Sequence, residues 1–460
     1  MAEFIEEFFI EMHGHWTLPS KNFEVLEGEK DFIIKDNTVY PVYSGKSILF
    51  YFPENNKHIR IRTQADVLPS EKFIGNLFEP VKIEFSEKLA NRNNFIKAAD
   101  VSSIYEVFRC GGKFYNENGE AENVFSMLKR GGFNTVRLRL WNKPCDENGT
   151  PYGGGNSDLQ RNLEIAKIAY AFGLDIMVDF HYSDFWADPA NQRIPSEWVH
   201  LRSSDSIAKA LGEFTRNSLS EFYKNGIKVR YVQIGNEITN GLITQQALYG
   251  KNSKTKKLKR SIRGNFGSRN FKKYLKSGIE NAKSVDKDIL TVIHIDTGAN
   301  AKRSLKFFGK IKKLDFDIIG LSYYPFFHGN INLMKETVTK LVKFNKPILI
   351  AETSYAFTEN SHPQAMSVFS GANKGDKSYS ISTQGQADLL CAITNVLLDL
   401  PRNIGRGVCW WEPCWLPVKG AGWSGEGTKP SWSDQALFSY DGVKLPSLDT
   451  FALMERKMIL

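Results

Sequence analysis

Two glutamates stand at the ends of short apolar runs. Glu237 closes VRYVQIGNEI, which starts at residue 229, and Glu352 closes the run in KPILIAETSY, which starts at residue 346. A carboxylic acid and a carboxylate that flank one bond of a sugar can hydrolyse it with retention when they lie about 5–5.5 Å apart. One protonates the leaving oxygen and later activates water; the other attacks the anomeric carbon. The acid has to stay protonated near neutral pH, so its surroundings must raise its pKa. Asn236, beside Glu237, is placed to hydrogen-bond a sugar 2-hydroxyl, a contact that strengthens in the transition state. The plainer alternative is that each glutamate caps a helix or pairs with an arginine.

Other chemistry-bearing residues close runs of the same kind: His181, Asp296, Tyr323, Tyr324, Trp411 and Glu412. Aromatic rings suit the apolar C–H faces of sugars, and tyrosine and tryptophan keep a polar handle as well. Trp410 and Trp411 are adjacent, so they point to opposite sides of their strand. Arg137 and Arg139 alternate in NTVRLRLW and share one face. A buried arginine needs a carboxylate. Arg139, nearer the strand end, is expected to orient Glu352, with an ion pair to Asp179 as the alternative. His181 and His294 are expected to hydrogen-bond a sugar hydroxyl or the nucleophile. No HExxH helix or second pair at ligand spacing supports a metal site.

These residues need a scaffold that brings strand ends together. From Phe95 onward, eight apolar runs alternate with helical patterns: FIKAADVSS, NTVRLRLW, LDIMVDFHYS, VRYVQIGNEI, ILTVIHID, FDIIGLSYYP, KPILIAETSY and GRGVCWWEPCW. Stretches such as AENVFSMLKRGG and LQRNLEIAKIAYAFG carry apolar residues at helical spacing and end in glycine. Eight such units predict a (β/α)8 barrel, an α/β fold with its site at the C-terminal strand ends. A doubly wound sheet would want a glycine-rich phosphate turn after the first strand, and none is present. In the barrel, strands four and seven lie across the mouth from one another, which sets Glu237 against Glu352.

Residues 1–90 read differently. FEVLEG, DFIIKD, TVYPVYSG, SILFYF, HIRIRT and VKIEF are short β runs broken by turn residues. They predict a small all-β accessory domain, sandwich-like, joined through KLANRNN to a barrel over residues 94–460. The 42% hydrophobic and 24% charged content is that of a folded chain, not a disordered one. The five cysteines have no Cys-x-x-Cys spacing, so free thiols are expected in place of a zinc or redox motif. The N-terminus carries acids where a signal peptide would be basic, and no apolar run is long enough for a transmembrane helix. A cytoplasmic location is expected, or an extracellular one if a leader was removed, and no membrane partner. The net charge of +9 is concentrated in residues 251–273, with ten Lys and Arg in 23 residues. No nucleic-acid-binding motif accompanies it, so no nucleic-acid partner is expected. Following strand four, the segment is expected to attract substrates that carry uronic acid.

Residues 94–450 resemble the endo-β-1,4-galactanases, the arabinogalactan-degrading family of the retaining (β/α)8 glycosidases. The resemblance rests on GGFNTVRLRLW, DFHYSDFWADP, VQIGNEITNG, IGLSYYPFFHG, AETSY, TQGQADLL and WWEPCW, in family order. It implies Glu237 as acid/base and Glu352 as nucleophile. It implies Arg139, His181, Asn236, Asp296, Tyr323 and Trp411 as residues around the cleavage point. The implied substrate is β-1,4-galactan or derived galacto-oligosaccharides, with no cofactor. Two loops depart from the family: LITQQALYG replaces a tryptophan-bearing loop after NEITNG, and the short segment between Trp415 and Trp432 does not carry over a calcium loop. Another β-glycan as substrate, transglycosylation, and galactan binding without catalysis stay open as alternatives.

Overall fold

The eight apolar runs form eight parallel strands in a computed structural model that describes residues 5–68, 76–248, 258–371, 378–425 and 427–456. They are β1 (Ile96–Asp100), β2 (Thr135–Leu140), β3 (Asp175–Phe180), β4 (Val229–Ile234), β5 (Leu290–Ile295), β6 (Ile318–Ser322), β7 (Ile348–Thr353) and β8 (Gly405–Trp411). Each pairs with its chain neighbours, and β8 pairs back onto β1 through Gly407↔Ile96 to Trp411↔Asp100, closing the barrel. The predicted helices follow the strands: α1 (Val124–Arg130) and α2 (Leu159–Ala171) after β1 and β2, and α3 (Ser204–Lys224) after β3. Asn123 and Asp158 cap α1 and α2 with their side chains, and Ser203 and Ser206 form a capping box at α3.

The barrel interior is layered. Ile96, Ala98, Met177, Tyr231, Val292 and Leu349 are buried together as an apolar plug. One layer toward the C-terminal ends, Asp100, Arg137, Asp179, Gln233, His294 and Glu352 are buried as well. A barrel interior is side chains packed in layers, so the polar layer rests on a dry floor.

Two backbone irregularities shape the upper rim. On β7, Leu349 and Ala351 belong to the interior plug, so strict alternation would turn Glu352 outward. The register prevents it. Leu321↔Ile350 is followed by Ser322↔Glu352, and on the other side Ile350↔Val408 is followed by Thr353↔Trp410. Both neighbours thus face one extra residue on β7, a β-bulge that re-aims Glu352 into the barrel. On β4, Tyr231 points inward. Past the strand end Gly235 takes φ 82° and Glu237 takes φ 47°. That left-handed turn brings Asn236 and Glu237 over the mouth.

The N-terminal region is all-β, as the sequence predicts, with two differences. Residues 81–85 (VKIEF) form no strand, while Ile5–Phe9, absent from the runs read in the sequence, is a strand. It pairs in parallel with Lys57–Arg62. One sheet has four strands and the other three. They enclose a separate apolar core that includes Val39, Ile48, Phe50 and Ile61. The region docks on the barrel's flank: Asn123 Nδ2 donates to the Met12 and Pro41 carbonyls, and Lys35 Nζ donates to the Tyr170 carbonyl. All five cysteines are free thiols. Among the described residues, no helix is long and apolar enough to cross a membrane. Part of the basic segment, residues 251–257, lies outside the described residues.

Gly235→Ala tests the turn that carries Glu237. A Cβ there would lie 2.6 Å from Ile238 Cγ2 at a positive φ. The substitution is expected to cost about 1–2 kcal/mol in urea unfolding; an unchanged midpoint would contradict this account of the turn.

Candidate active site

A cavity of about 250 Å³ opens at the C-terminal ends of the strands. Glu237, Glu352, Asn236, Arg139, His181, Asp296 and Trp411 line it, as expected. Among the described residues, no lining residue precedes Asp100. Tyr323 departs from the expectation. Its ring is buried outside the cavity and its hydroxyl donates to the Gly329 carbonyl, 2.9 Å away. Tyr324 lines the cavity in its place. Alternation explains the exchange. Ile318 belongs to the interior plug and Ser322 bonds Glu237 inside the mouth, so the even positions of this stretch face inward and Tyr323 faces the helices.

The arginines also exchange the role expected of them. Arg137, not Arg139, contacts Glu352, with Nη2 3.0 Å from Oε1. The same guanidinium lies 2.7 Å from Asp100 and 2.9 Å from Asp179, and donates to Asn236 Oδ1 at 2.9 Å. It ties the ends of β1, β3, β4 and β7 together. Arg139 stands one inward position further along β2, beyond the reach of that layer. There it pairs with Glu412 at 2.6 Å, donates to Ser103 Oγ and stacks over Trp186 at 4.1 Å. Glu412 is fully buried, and its carboxyl is pushed to about 7 by burial, with Arg139 opposing. The Glu412 partnership and the central role of Arg137 escape sequence reasoning, because both depend on level in the barrel. Only the two-residue step from Arg137 to Arg139 hinted at two separate layers.

The two glutamates approach closely. One oxygen of each, together with a His294 nitrogen, falls within a mutual 4.8 Å. Their surroundings differ in kind. Glu352 has Arg137 on one oxygen, and on the other the Tyr324 hydroxyl, which donates at 3.0 Å. Burial pushes Glu352 up to about 7, while Arg137 and the tyrosine hydroxyl oppose it. Among the described residues, no cation pairs with Glu237. Burial first, then the Glu352 charge, then Asp296 and Asp188 push it well above the usual carboxylate range, and the Ser322 hydroxyl opposes them. A proton shared by the pair therefore sits on Glu237 and leaves Glu352 ionised.

The histidines serve as hydrogen-bonding groups. His181 Nδ1 accepts from Trp141 Nε1 and from the Ala187 backbone N–H, both at 3.1 Å. Its hydrogen is thus on Nε2, 3.2 Å from Asp179. Burial and Arg137 hold His294 well below the ordinary histidine range, so it is neutral. Its Nε2 lies 2.8 Å from Ser322 Oγ, and its Nδ1 lies 3.1 Å from the Gln233 amide nitrogen. Glu237, His294 and Glu352 are the one cluster among the described residues with ligand atoms close enough for a metal, but hydrogen bonds already occupy both imidazole nitrogens.

Aromatic rings wall the cavity. Trp186 and Trp423 stack at 4.3 Å with their planes 9° apart, and Trp411 meets Trp432 edge-on at 4.6 Å. Trp410, the outward neighbour of Trp411, is buried with its Nε1 donating to the Gln435 carbonyl. Phe327 lines the cavity and is 46% exposed, available as a ring platform. Buried opposite charges flanked by open aromatic surface suit a neutral polyhydroxylated ligand, whose C–H faces pack on rings.

The profile of glycosyl hydrolase family 53 matches residues 96–451. The chain is 35% identical to the endo-beta-1,4-galactanase of Bacillus subtilis (strain 168), over 81% of this chain and 89% of that one. It is 29% identical to the arabinogalactan endo-beta-1,4-galactanase of Thermothelomyces thermophilus, over 77% of this chain and 98% of that one. Among solved structures, the GH53 catalytic domain of Ignisphaera aggregans superposes with a TM-score of 0.72 at 34% identity, covering 82% of this chain and 100% of its own. A fungal beta-1,4-galactanase superposes with a TM-score of 0.61 at 28% identity, covering 78% of this chain and 98% of its own.

The electrostatic coupling is testable without substrate. Removing the Glu352 charge removes one of the causes that raise Glu237, so ionised Glu237 becomes less costly. In Glu352→Gln, the titration midpoint of Glu237 followed by 13C NMR is expected to fall. A midpoint that stays or rises would show that burial alone sets it.

Proposed function

The chain belongs to glycosyl hydrolase family 53 and is a glycoside hydrolase, and from that membership we propose that it cleaves β-1,4-galactosidic bonds in arabinogalactan or galacto-oligosaccharides, with retention, through Glu237 and Glu352. The observation that carries the mechanism is the approach of the two carboxyl groups, with nearest oxygens within 4.8 Å. Inverting pairs stand about 6.5–9.5 Å apart to admit a water between them, and retaining pairs do not.

In the first step the Glu352 carboxylate attacks the anomeric carbon. Glu237 gives its proton to the glycosidic oxygen, the C–O bond breaks, and the leaving chain departs as an alcohol. In the second step Glu237, now a carboxylate, takes a proton from water while that water's oxygen bonds the anomeric carbon and Glu352 leaves. The geometry supplies the change of role. Once Glu352 is esterified its charge is gone, so the charge that raises Glu237 is withdrawn. The acid of the first step thereby becomes a carboxylate suited to act as a base in the second. Arg137 opposes the rise that burial imposes on Glu352 and so favours its ionised form. Asn236 lines the cavity beside Glu237, and its Oδ1 is held by Arg137; we assign its amide the sugar 2-hydroxyl. His181, Asp296 and Trp411 are assigned to sugar contacts on the same ground of position.

The segment before residue 91 is proposed to be an accessory domain, because it encloses its own apolar core and none of its described residues walls the cavity.

Product chromatography on linear β-1,4-galactan tests the substrate. Wild type is expected to release oligosaccharides whose first-formed anomer, read by 1H NMR, is β. Glu237→Ala is expected to lose about 100- to 10,000-fold in kcat/KM, and Glu352→Ala to lose turnover altogether. Release of the α anomer would overturn retention, and wild-type inactivity on galactan with turnover of another β-glycan would overturn the substrate. The pH profile tests the nucleophile. Tyr324→Phe removes a donor that stabilises ionised Glu352, so the acidic limb of kcat/KM is expected to move up by about one pH unit. An unmoved limb would detach Glu352 from that limb.

A further inference from the structure

Ser322 and His294 sit at the ends of β6 and β5, fully buried, with no role yet in the chemistry. Their hydrogen bonds fix how they are wired. Two donors meet His294 Nδ1, the Gln233 amide at 3.1 Å and the backbone N–H of Glu237 at 3.4 Å, so this nitrogen accepts and carries no hydrogen; Asn236 Oδ1, 3.0 Å from it, accepts from Arg137 instead. A neutral imidazole has one N–H, which places the hydrogen on Nε2, 2.8 Å from Ser322 Oγ. Ser322 Oγ accepts it, and its own hydrogen is free to go to Glu237 Oε1, 2.6 Å away. The circuit starts at the peptide of Glu237 and returns to the carboxyl of the same residue, crossing three strands.

We propose that Ser322, oriented by His294, is the positioning residue of the acid: it occupies Glu237 Oε1 as a hydrogen-bond donor in every step, so that the proton transferred to the glycosidic oxygen is carried on Oε2. The proposal rests on the acid role of Glu237 given above. Its physical basis is directional. A carboxyl group has two oxygens and one proton. If nothing distinguished them, the proton would spend part of its time on the oxygen turned away from the cleft. An O–H donor committed to Oε1 removes that state, because two hydrogens would meet at one oxygen. The imidazole N–H behind the hydroxyl polarises it and strengthens the donation. The αL turn at Glu237, φ 47° and ψ 46°, places the peptide N–H and the carboxyl of one residue so that both ends of the circuit can be reached.

Other groups that face Glu237 do not substitute for Ser322. Glu352 on β7, Asp296 at the end of β5 and Asp188 after β3 all act on it as negative charges, and Tyr324 gives its hydroxyl to Glu352. His294 faces Arg137, Asp179 and His181 across the barrel, and with burial the net effect of these is to keep it neutral. The ring therefore passes no charge to the serine. Its contribution is to orient the hydroxyl and polarise it through the N–H.

The test uses Ser322→Ala and Ser322→Thr in the full chain, each on two substrates: linear β-1,4-galactan and a dinitrophenyl β-1,4-galactobioside, whose leaving group needs no proton. In Ser322→Ala, kcat/KM on galactan is expected to fall about 10- to 100-fold, of the order of one charge-assisted hydrogen bond, while the dinitrophenyl substrate loses less than about threefold. The hydroxyl favours the ionised form of Glu237, so its loss should move the basic limb on galactan up by about one pH unit. Ser322→Thr keeps a hydroxyl and is expected to restore both the rate and the limb. Equal losses on the two substrates, or a basic limb that stays in place in Ser322→Ala, would overturn the proposal. So would a threonine variant as impaired as the alanine one despite an unchanged thermal midpoint. Wild type that cleaves neither substrate would instead overturn the functional reading beneath it.

Discussion

One buried guanidinium organises the mouth of this barrel. Arg137 is 1% exposed and lies within 3.0 Å of three carboxylates, on β1, β3 and β7. A buried cation alone would be costly, and so would three buried anions. Together they leave a cluster that is negative on balance and spread over one planar, five-donor group. The side-chain oxygens of Asn236 and Gln233 also accept from it. The apolar plug below keeps water from competing. Four of the strand ends that form the site are thus located by contacts to one side chain.

The difference between the two glutamates follows from who reaches that guanidinium. Glu352 touches it and receives a tyrosine hydroxyl on the other oxygen. Glu237 receives neither, and faces Glu352, Asp296 and Asp188 instead. Chemically identical side chains are separated by neighbours, so a proton shared between them has a preferred residence. Both carboxyls reach the mouth through backbone irregularities, a bulge at β7 and a left-handed turn after β4. Such features are costly in isolation and are held where surrounding contacts over-determine them. Here the contacts are Arg137 on one side and the Ser322–His294 circuit on the other.

Around this charged centre the walls are aromatic and come from the loops of the barrel itself. The Trp186–Trp423 stack is coupled to the interior through Arg139, which packs on Trp186 and is anchored by Glu412. The second buried arginine therefore serves the wall where the first serves the layer of buried carboxyls. The N-terminal sheets dock on the barrel's flank through Asn123, which caps α1 and donates to two of their carbonyls, and through Lys35, which donates to a carbonyl of α2; none of their described residues walls the cavity.

The amino-acid sequence by itself determined the barrel, the strand ends at its mouth, and the facing of Glu237 and Glu352 across it. Alternating apolar strands and amphipathic helices admit few closed arrangements, and strand ends are legible because apolar runs stop there. It also carried the family motifs and the free state of the cysteines. It did not determine which of two alternating arginines meets Glu352, or which of two adjacent tyrosines lines the cavity. Those depend on height and facing within the barrel, and one extra residue in a strand reverses facing. Simple alternation from Leu349 and Ala351 would have turned Glu352 away. Only the tertiary structure, through the register of β7 against both neighbours, turns it toward Arg137. The Glu412–Arg139 pair and the serine–histidine circuit were invisible for the same reason: their members lie on different strands, far apart in sequence, and meet because the sheet closes on itself.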